Sequence, residues 1–210
     1  MKNSIVWYFD FISPFAYLQS ERLHEFATYA DIHYKPVLFA GLLKHWGHKG
    51  PAELPAKRRF TYRHLQWQAQ RSGIAFKMPP QHPFNPLPLL RLALALDCQA
   101  PLIHQIFRFV WQAGHSPDDT AELAMLYSRL GLSDSTSIDY PEIKSALRHN
   151  TQQAIELGIF GVPTLIINGE LFWGFDATDM ALNYLHNPDH FDSSEMQRVS
   201  NLPIGIARSQ

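Results

Sequence analysis

The chemistry-bearing residues of this 210-residue chain fall in a few short stretches. The first is FDFISPFAYL, residues 9–18, where an apolar run meets Ser13-Pro14. Serine followed by proline opens a helix well: the hydroxyl accepts from a free N–H, and proline suits the first turn. The same geometry serves a second purpose. The unpaired N–H groups and partial positive charge of a helix start stabilise a thiolate, and a serine hydroxyl can donate to it. Lowering a thiol pKa by about two pH units takes about 2.7 kcal/mol, within reach of one charge-assisted hydrogen bond plus a helix dipole. Residues 13 and 16 carry no sulfur, so the thiol would arrive on a cofactor, with glutathione the candidate. Capping and thiolate binding both stand open for Ser13.

The second stretch is GVPT, 161–164. A proline at a strand start needs no ladder N–H. With a cis bond at Pro163, Val162 would offer free backbone groups to an extended peptide; a trans proline in a loop is the alternative. The third stretch, FWGFDA at 172–177, holds Gly174, free to take an unusual backbone angle, and Asp176 near a helix start. Asp176 reads either as an N-cap or as a carboxylate for the ammonium of a γ-glutamyl group. The fourth is HWGHKGPAELPAKRRF, 45–60. Lys57 falls at a helix start, where the macrodipole disfavours a cation, and it can reach a ligand carboxylate. His45 and His48 have the spacing of a metal pair, but no third ligand is evident and no metal is expected. Phe84 and Asn85, in MPPQHPFNP, are candidates to line a substrate pocket; Asn85 reads first as a helix cap.

The elements that must position these residues follow from periodicity. SIVWYF (4–9) is a predicted buried strand, residues 13–29 a helix, and IHYKPVLF (32–39) a second strand with Pro36 marking an irregularity or an edge. Strand, helix, strand at this spacing is a right-handed βαβ unit with parallel strands. From Gly41 to about Gly158 only helical patterns recur, over 56–70, 86–96, 102–113, 119–130 and 140–157, with breakers at 78–86, 114–118 and 132–137. Strands return in TLIINGELFW, where Asn168-Gly169 signals a hairpin, and 177–186 suits a closing helix. The order βαβ, helices, ββα predicts an α/β fold with a thioredoxin-like core interrupted by an all-helical insertion. The expected divisions are 1–40 with 158–186 as the thioredoxin-like domain, 41–157 as the insertion, and 187–210 as a polar tail.

Composition narrows the function classes. A net charge of −1 argues against an electrostatic nucleic-acid binder. No stretch reaches the roughly 20 apolar residues of a membrane span, and Asp10 interrupts any secretory apolar run. A cytoplasmic protein is expected. The single cysteine, Cys98, supports neither an intrachain disulfide nor a thiolate metal site, and its apolar context reads as a buried small hydrophobe.

These stretches, together with HPFNPLPLLRLALA and GIFGVPTLIINGELFWGFD, resemble the 2-hydroxychromene-2-carboxylate isomerases and kappa-class glutathione transferases, within the DsbA-like thioredoxin superfamily. The resemblance runs to about residue 186. It implies that Ser13 contacts the glutathione sulfur, that Lys57 helps bind glutathione, that Val162 before the cis-proline Pro163 pairs with the tripeptide backbone, and that Asp176 binds the γ-glutamyl end. His48 stands where the family usually has asparagine, and Ala177 where it usually has arginine. Histidine can still donate; alanine cannot replace the charge. The implied activity is glutathione-dependent cis–trans isomerisation of an aromatic oxo-acid in aromatic catabolism, by a homodimer. The alternatives are transfer or peroxide reduction with glutathione, or a non-catalytic peptide-binding module. Dithiol chemistry is excluded by Ser13 and Ala16.

Overall fold

The computed structural model describes residues 3–132 and 136–206. Strand β1 (Asn3–Phe9) lies inside a four-stranded sheet of order β2-β1-β3-β4. It pairs in parallel with β2 (Ala30–Pro36) and antiparallel with β3 (Thr164–Ile167), which turns back into β4 (Glu170–Trp173). Asn168 and Gly169 both take positive φ, 51° and 93°, as a two-residue hairpin requires. This is the thioredoxin-like core that the element order predicts. Pro36 ends β2, and β2 is an edge strand, where a missing N–H costs least.

Both faces of β1 are covered from Ile5 onward, which explains why residues 5–9 are all apolar. Ile5, Trp7 and Phe9, continued by Phe11, enter one cluster with Phe107. Phe107 lies 5.8, 5.6 and 4.6 Å from the rings of Trp7, Phe9 and Phe11. Val6 and Tyr8 face a second cluster with Val37, Leu42, Ala154 and Val162. Truncating a ring such as Phe107 would cost about 3–5 kcal/mol.

The helix expected over 13–29 is shorter. Helix α1 spans Pro14–Ser20, and a separate 3-10 turn spans Leu23–Phe26. The Ser20 hydroxyl donates back to the Tyr17 carbonyl at 2.7 Å, and Arg22 N–H bonds Gln19 O at 2.9 Å, tightening the chain out of α-helical pitch. The second strand likewise starts and ends earlier than 32–39.

The segment between the halves of the sheet is helical: α2 (Phe39–Trp46), α3 (Pro55–Arg71), α4 (Leu87–Ala95), α5 (Ala100–Trp111), α6 (Thr120–Arg129) and α7 (Pro141–Glu156). Five match predicted ranges to within two residues. Helix α2 does not. It is short, its N-cap Leu38 supplies no side-chain acceptor, and Gly41 sits inside it. That glycine permits a close approach to α7, since a Cβ there would lie 3.0 Å from Thr151 Cγ2. The breaker at 132–137 falls partly outside the described residues. After α8 (Thr178–His186), the tail carries a further helix, α9 (Ser194–Ser200), capped by Ser193 and burying nothing. Among the described residues, no helix is long and apolar enough to cross a membrane.

Candidate active site

Ser13 caps α1 and also faces the opposite half of the sheet. Its hydroxyl oxygen accepts from Ala16 N–H at 3.2 Å and makes a long 3.4 Å contact, as donor, with the Val162 carbonyl. The residue is only 7% exposed. The two readings of Ser13 coexist physically, because a hydroxyl both accepts and donates.

The backbone before Ser13 is gripped from the helical segment. Trp111 Nε1 of α5 donates to Phe11 O at 2.8 Å. His82, between α3 and α4, meets Ile12 O through Nε2 at 2.9 Å. Ser13 N–H bonds Asp10 O at 3.0 Å. The Asp10 side chain spans the remaining gap, accepting from Ile12 N–H at 3.0 Å and from Phe39 N–H, the first residue of α2, at 2.9 Å. Asp10 is fully buried. Burial raises its carboxyl to about 7, against the opposing pull of its two backbone donors. Sequence reading overlooked Asp10 as a site residue. The signal was its phase: position 10, just past β1, continues the face of Val6 and Tyr8, which packs into the second cluster.

The Val162–Pro163 peptide bond is cis. Among the described residues nothing accepts from Val162 N–H, so this short edge keeps a free donor, and its carbonyl is engaged only by the long Ser13 contact. Pro163 O accepts from Gly174 N–H at 2.9 Å, which brings the 174–178 loop beside the cis-proline. Gly174 has φ +94°, and a Cβ there would lie 2.6 Å from Asp176 Oδ1. The Asp176 carboxylate therefore folds over Gly174. It caps nothing: the N-cap of α8 is Ala177. Gln19 ties this loop to α1. Its Nε2 donates to Gly174 O at 3.0 Å and to Thr178 Oγ1 at 3.1 Å, while its Oε1 accepts from Trp7 Nε1 at 2.8 Å. Gln19 is buried, and its role depends on partners about 155 residues away, so no local pattern exposes it.

Ser13, Val162 and Pro163 thus lie together, with Asp176 on the adjoining loop. Lys57 and His48 form no hydrogen bond to them. Lys57 sits in the first turn of α3, exposed, with no ion pair among the described residues. No acidic residue accompanies it in that turn. His48 is exposed just past α2, its N–H closing the helix onto Leu43 O after the left-handed Gly47. Phe84 is 5% exposed, 5.9 Å from the Trp111 ring. Asn85 Oδ1 accepts from Leu87 N–H at 3.1 Å, a local turn at the entry to α4.

Residues 4–186 match the family model of the DSBA-like thioredoxin domain. The chain belongs to this family. Among its relatives, this DSBA-like protein is 30% identical to a 2-hydroxychromene-2-carboxylate isomerase of Pseudomonas putida, over 81% of this chain and 88% of that protein. It is 26% identical to glutathione S-transferase kappa 2 of Caenorhabditis elegans, over 89% and 93%. A solved 2-hydroxychromene-2-carboxylate isomerase structure superposes with TM-score 0.76 at 26% identity, covering 91% of this chain and all of that one. The DSBA-like protein is therefore an enzyme of the isomerase or transferase type.

The residues present fit glutathione. That tripeptide carries a thiol, two carboxylates, one ammonium and an extended backbone. Among the described residues, the DSBA-like protein offers a hydroxyl at Ser13, a free N–H at Val162, an unpaired cation at Lys57 and a carboxylate at Asp176 that no protein cation occupies.

Proposed function

We propose that this protein is a glutathione-dependent isomerase of the 2-hydroxychromene-2-carboxylate isomerase type, acting on an aromatic oxo-acid. The observation that carries the reading is the Ser13 hydroxyl lying against the carbonyl of Val162, before the cis-proline. A hydroxyl placed there meets the cysteinyl sulfur of a tripeptide laid along the Val162 edge. Bound glutathione supplies a thiolate whose reversible addition to a conjugated double bond permits rotation about it.

The protein's own part is binding and orientation. Ser13 turns its proton toward the sulfur, stabilising the charged form and losing only a long contact to Val162 O. Val162 N–H and C=O align the peptide backbone. Asp176 takes the γ-glutamyl ammonium, and Lys57 a ligand carboxylate. An anion at Lys57 also offsets the unfavourable cation at the start of α3, an interaction of about 0.3–1 kcal/mol. His48 supplies a side-chain donor past α2, and Phe84 and Asn85 border the acceptor pocket. Alanine at 177 removes the family's cation from the last loop, so affinity for glutathione is expected to lean on Lys57. A cytoplasmic location suits a supply of reduced glutathione. The homodimer expected from the resemblance has support in exposed Phe60 and Trp67, with His64 stacked between them on α3; sedimentation at monomer mass would remove it.

The test follows thiolate absorbance near 240 nm as glutathione is titrated in. Wild type should generate thiolate at neutral pH, and Ser13→Ala should generate about tenfold less while still binding S-methylglutathione. Isomerisation of 2-hydroxychromene-2-carboxylate should follow the same order. Turnover of a generic electrophile but not of the chromene acid would instead favour the transferase reading. Absence of glutathione binding in wild type would sink both.

A further inference from the structure

His82 is a half-buried histidine whose two ring nitrogens reach two different parts of the molecule. The Ile12 carbonyl can only accept, so Nε2, 2.9 Å away, carries the proton and donates. That leaves Nδ1 to accept from the Tyr62 hydroxyl of α3 at 2.7 Å. Tyr62 Oη also lies 3.0 Å from the His82 carbonyl, so its single proton is shared between that oxygen and the nearer Nδ1. The ring packs among Tyr62, Phe84 and Trp111, with centroids 5.5, 6.0 and 5.5 Å away. Burial lowers the imidazole pKa below the ordinary histidine range, which keeps the neutral tautomer that this arrangement needs.

The peptide held by this contact joins Ile12 to Ser13. Its carbonyl end is fixed by His82 and its N–H end by the Asp10 carbonyl, so rotation of the peptide plane is blocked at both ends. That plane sets the backbone of the helix cap and hence where the Ser13 hydroxyl points. An error of about 1 Å in such a group can cost about a hundredfold in rate.

We propose that His82, held by Tyr62, is a positioning residue for Ser13, fixing the Ile12–Ser13 peptide so that the hydroxyl is aimed at the thiol of the bound ligand. The part concerning the thiol rests on the glutathione reading above. The part concerning the peptide does not. Tyr62 lies five residues beyond Lys57 on the same helix, so the device also links the helix bearing the ligand cation to the turn bearing the hydroxyl.

Two variants separate the donor from the ring. His82→Gln keeps an amide N–H able to reach Ile12 O, and His82→Phe keeps the aromatic packing but removes the donor. In the ligand-free protein, hydrogen exchange at the Ser13 amide should speed about tenfold or more in His82→Phe and stay near wild type in His82→Gln. With glutathione bound, the thiolate fraction at pH 7 should fall about tenfold in His82→Phe, with S-methylglutathione affinity changed less than about threefold, and should recover in His82→Gln. Tyr62→Phe should lie between. Unchanged Ser13 exchange in His82→Phe overturns the proposal, as does an equal defect in both His82 variants, which would make the ring's packing the cause. If wild type forms no thiolate, the glutathione reading falls, while the exchange comparison still decides whether His82 holds the peptide. A His82→Phe chain that fails to fold leaves the decision to His82→Gln against Tyr62→Phe, for which the same order is required.

Discussion

Replacing Asp10 with asparagine removes a titration without removing the side chain's shape. In the folded protein the Asp10 carboxyl sits near 7, raised by burial, whereas in the unfolded chain it returns to the ordinary aspartate range near 4. A carboxyl whose folded pKa is raised favours the folded state below the unfolded pKa, and loses that contribution as pH rises through the folded value. Over the whole interval, about three pH decades at about 1.4 kcal/mol each, the contribution comes to about 4 kcal/mol. Between pH 5 and pH 8 the accessible part is about 2.5 kcal/mol. The assay is urea unfolding of wild type and Asp10→Asn at half-unit steps across that range. Asparagine places an amide donor against Ile12 N–H or Phe39 N–H, a cost that does not vary with pH. Half-buried His82 and His104 titrate in the opposite sense, their lowered pKa values making stability rise with pH, but both remain in each protein and cancel in the difference. The stability of wild type minus that of Asp10→Asn should therefore fall by about 2.5 kcal/mol from pH 5 to pH 8. A difference that stays flat would mean the two backbone donors hold Asp10 ionised despite its burial, and the argument from desolvation would be wrong.

Two further outcomes follow from neighbouring features. Gly174→Ala forces a side chain into φ +94° and against Asp176 Oδ1, at a cost of about 1–2 kcal/mol; calorimetry should show a Tm lower by a few degrees and S-methylglutathione bound about tenfold more weakly, and unaltered affinity would detach Asp176 from the ligand. Cys98 has its thiol pushed up to about 11 by burial and by Asp97, so its thiolate fraction near pH 8 is about a hundredfold below that of an ordinary cysteine. Maleimide labelling should be slower in the folded protein than in urea by about that factor, and equal rates would show the thiol to be solvated.

What the sequence revealed and what it hid divide along local and distant information. The hairpin at Asn168-Gly169, the edge position of Pro36 and the helix opening at Ser13-Pro14 are local backbone requirements, and all three could be read directly. The end of α1 was not legible: Phe15, Leu18, Leu23 and Phe26 fall at i, i+3, i+8 and i+11, a helical spacing that runs straight through the break. Asp10 and Gln19 were missed because each is polar, and each is buried by partners that arrive from far along the chain. His82 was hidden inside MPPQHPFNP, whose prolines mark a break and say nothing of what an intervening ring touches. Helix α2 lacks a side-chain cap and contains a glycine, so its existence rests on packing against α7 rather than on propensity.

The grip on residues 10–13 has a consequence for how the molecule is made. The turn lies at the start of the chain, yet its holders are Phe39, His82 and Trp111, and the facing edge is Val162. On a ribosome, β1 emerges before all of these and waits for about 150 further residues before β3 can close its second edge. Trp7, Phe9 and Phe11 lack their cover until Phe107 follows, and Ser13 has nothing opposite it until Val162 does. A competent binding turn is therefore among the last things this protein acquires, and a nascent or truncated chain ending before Val162 would hold the serine without holding the site.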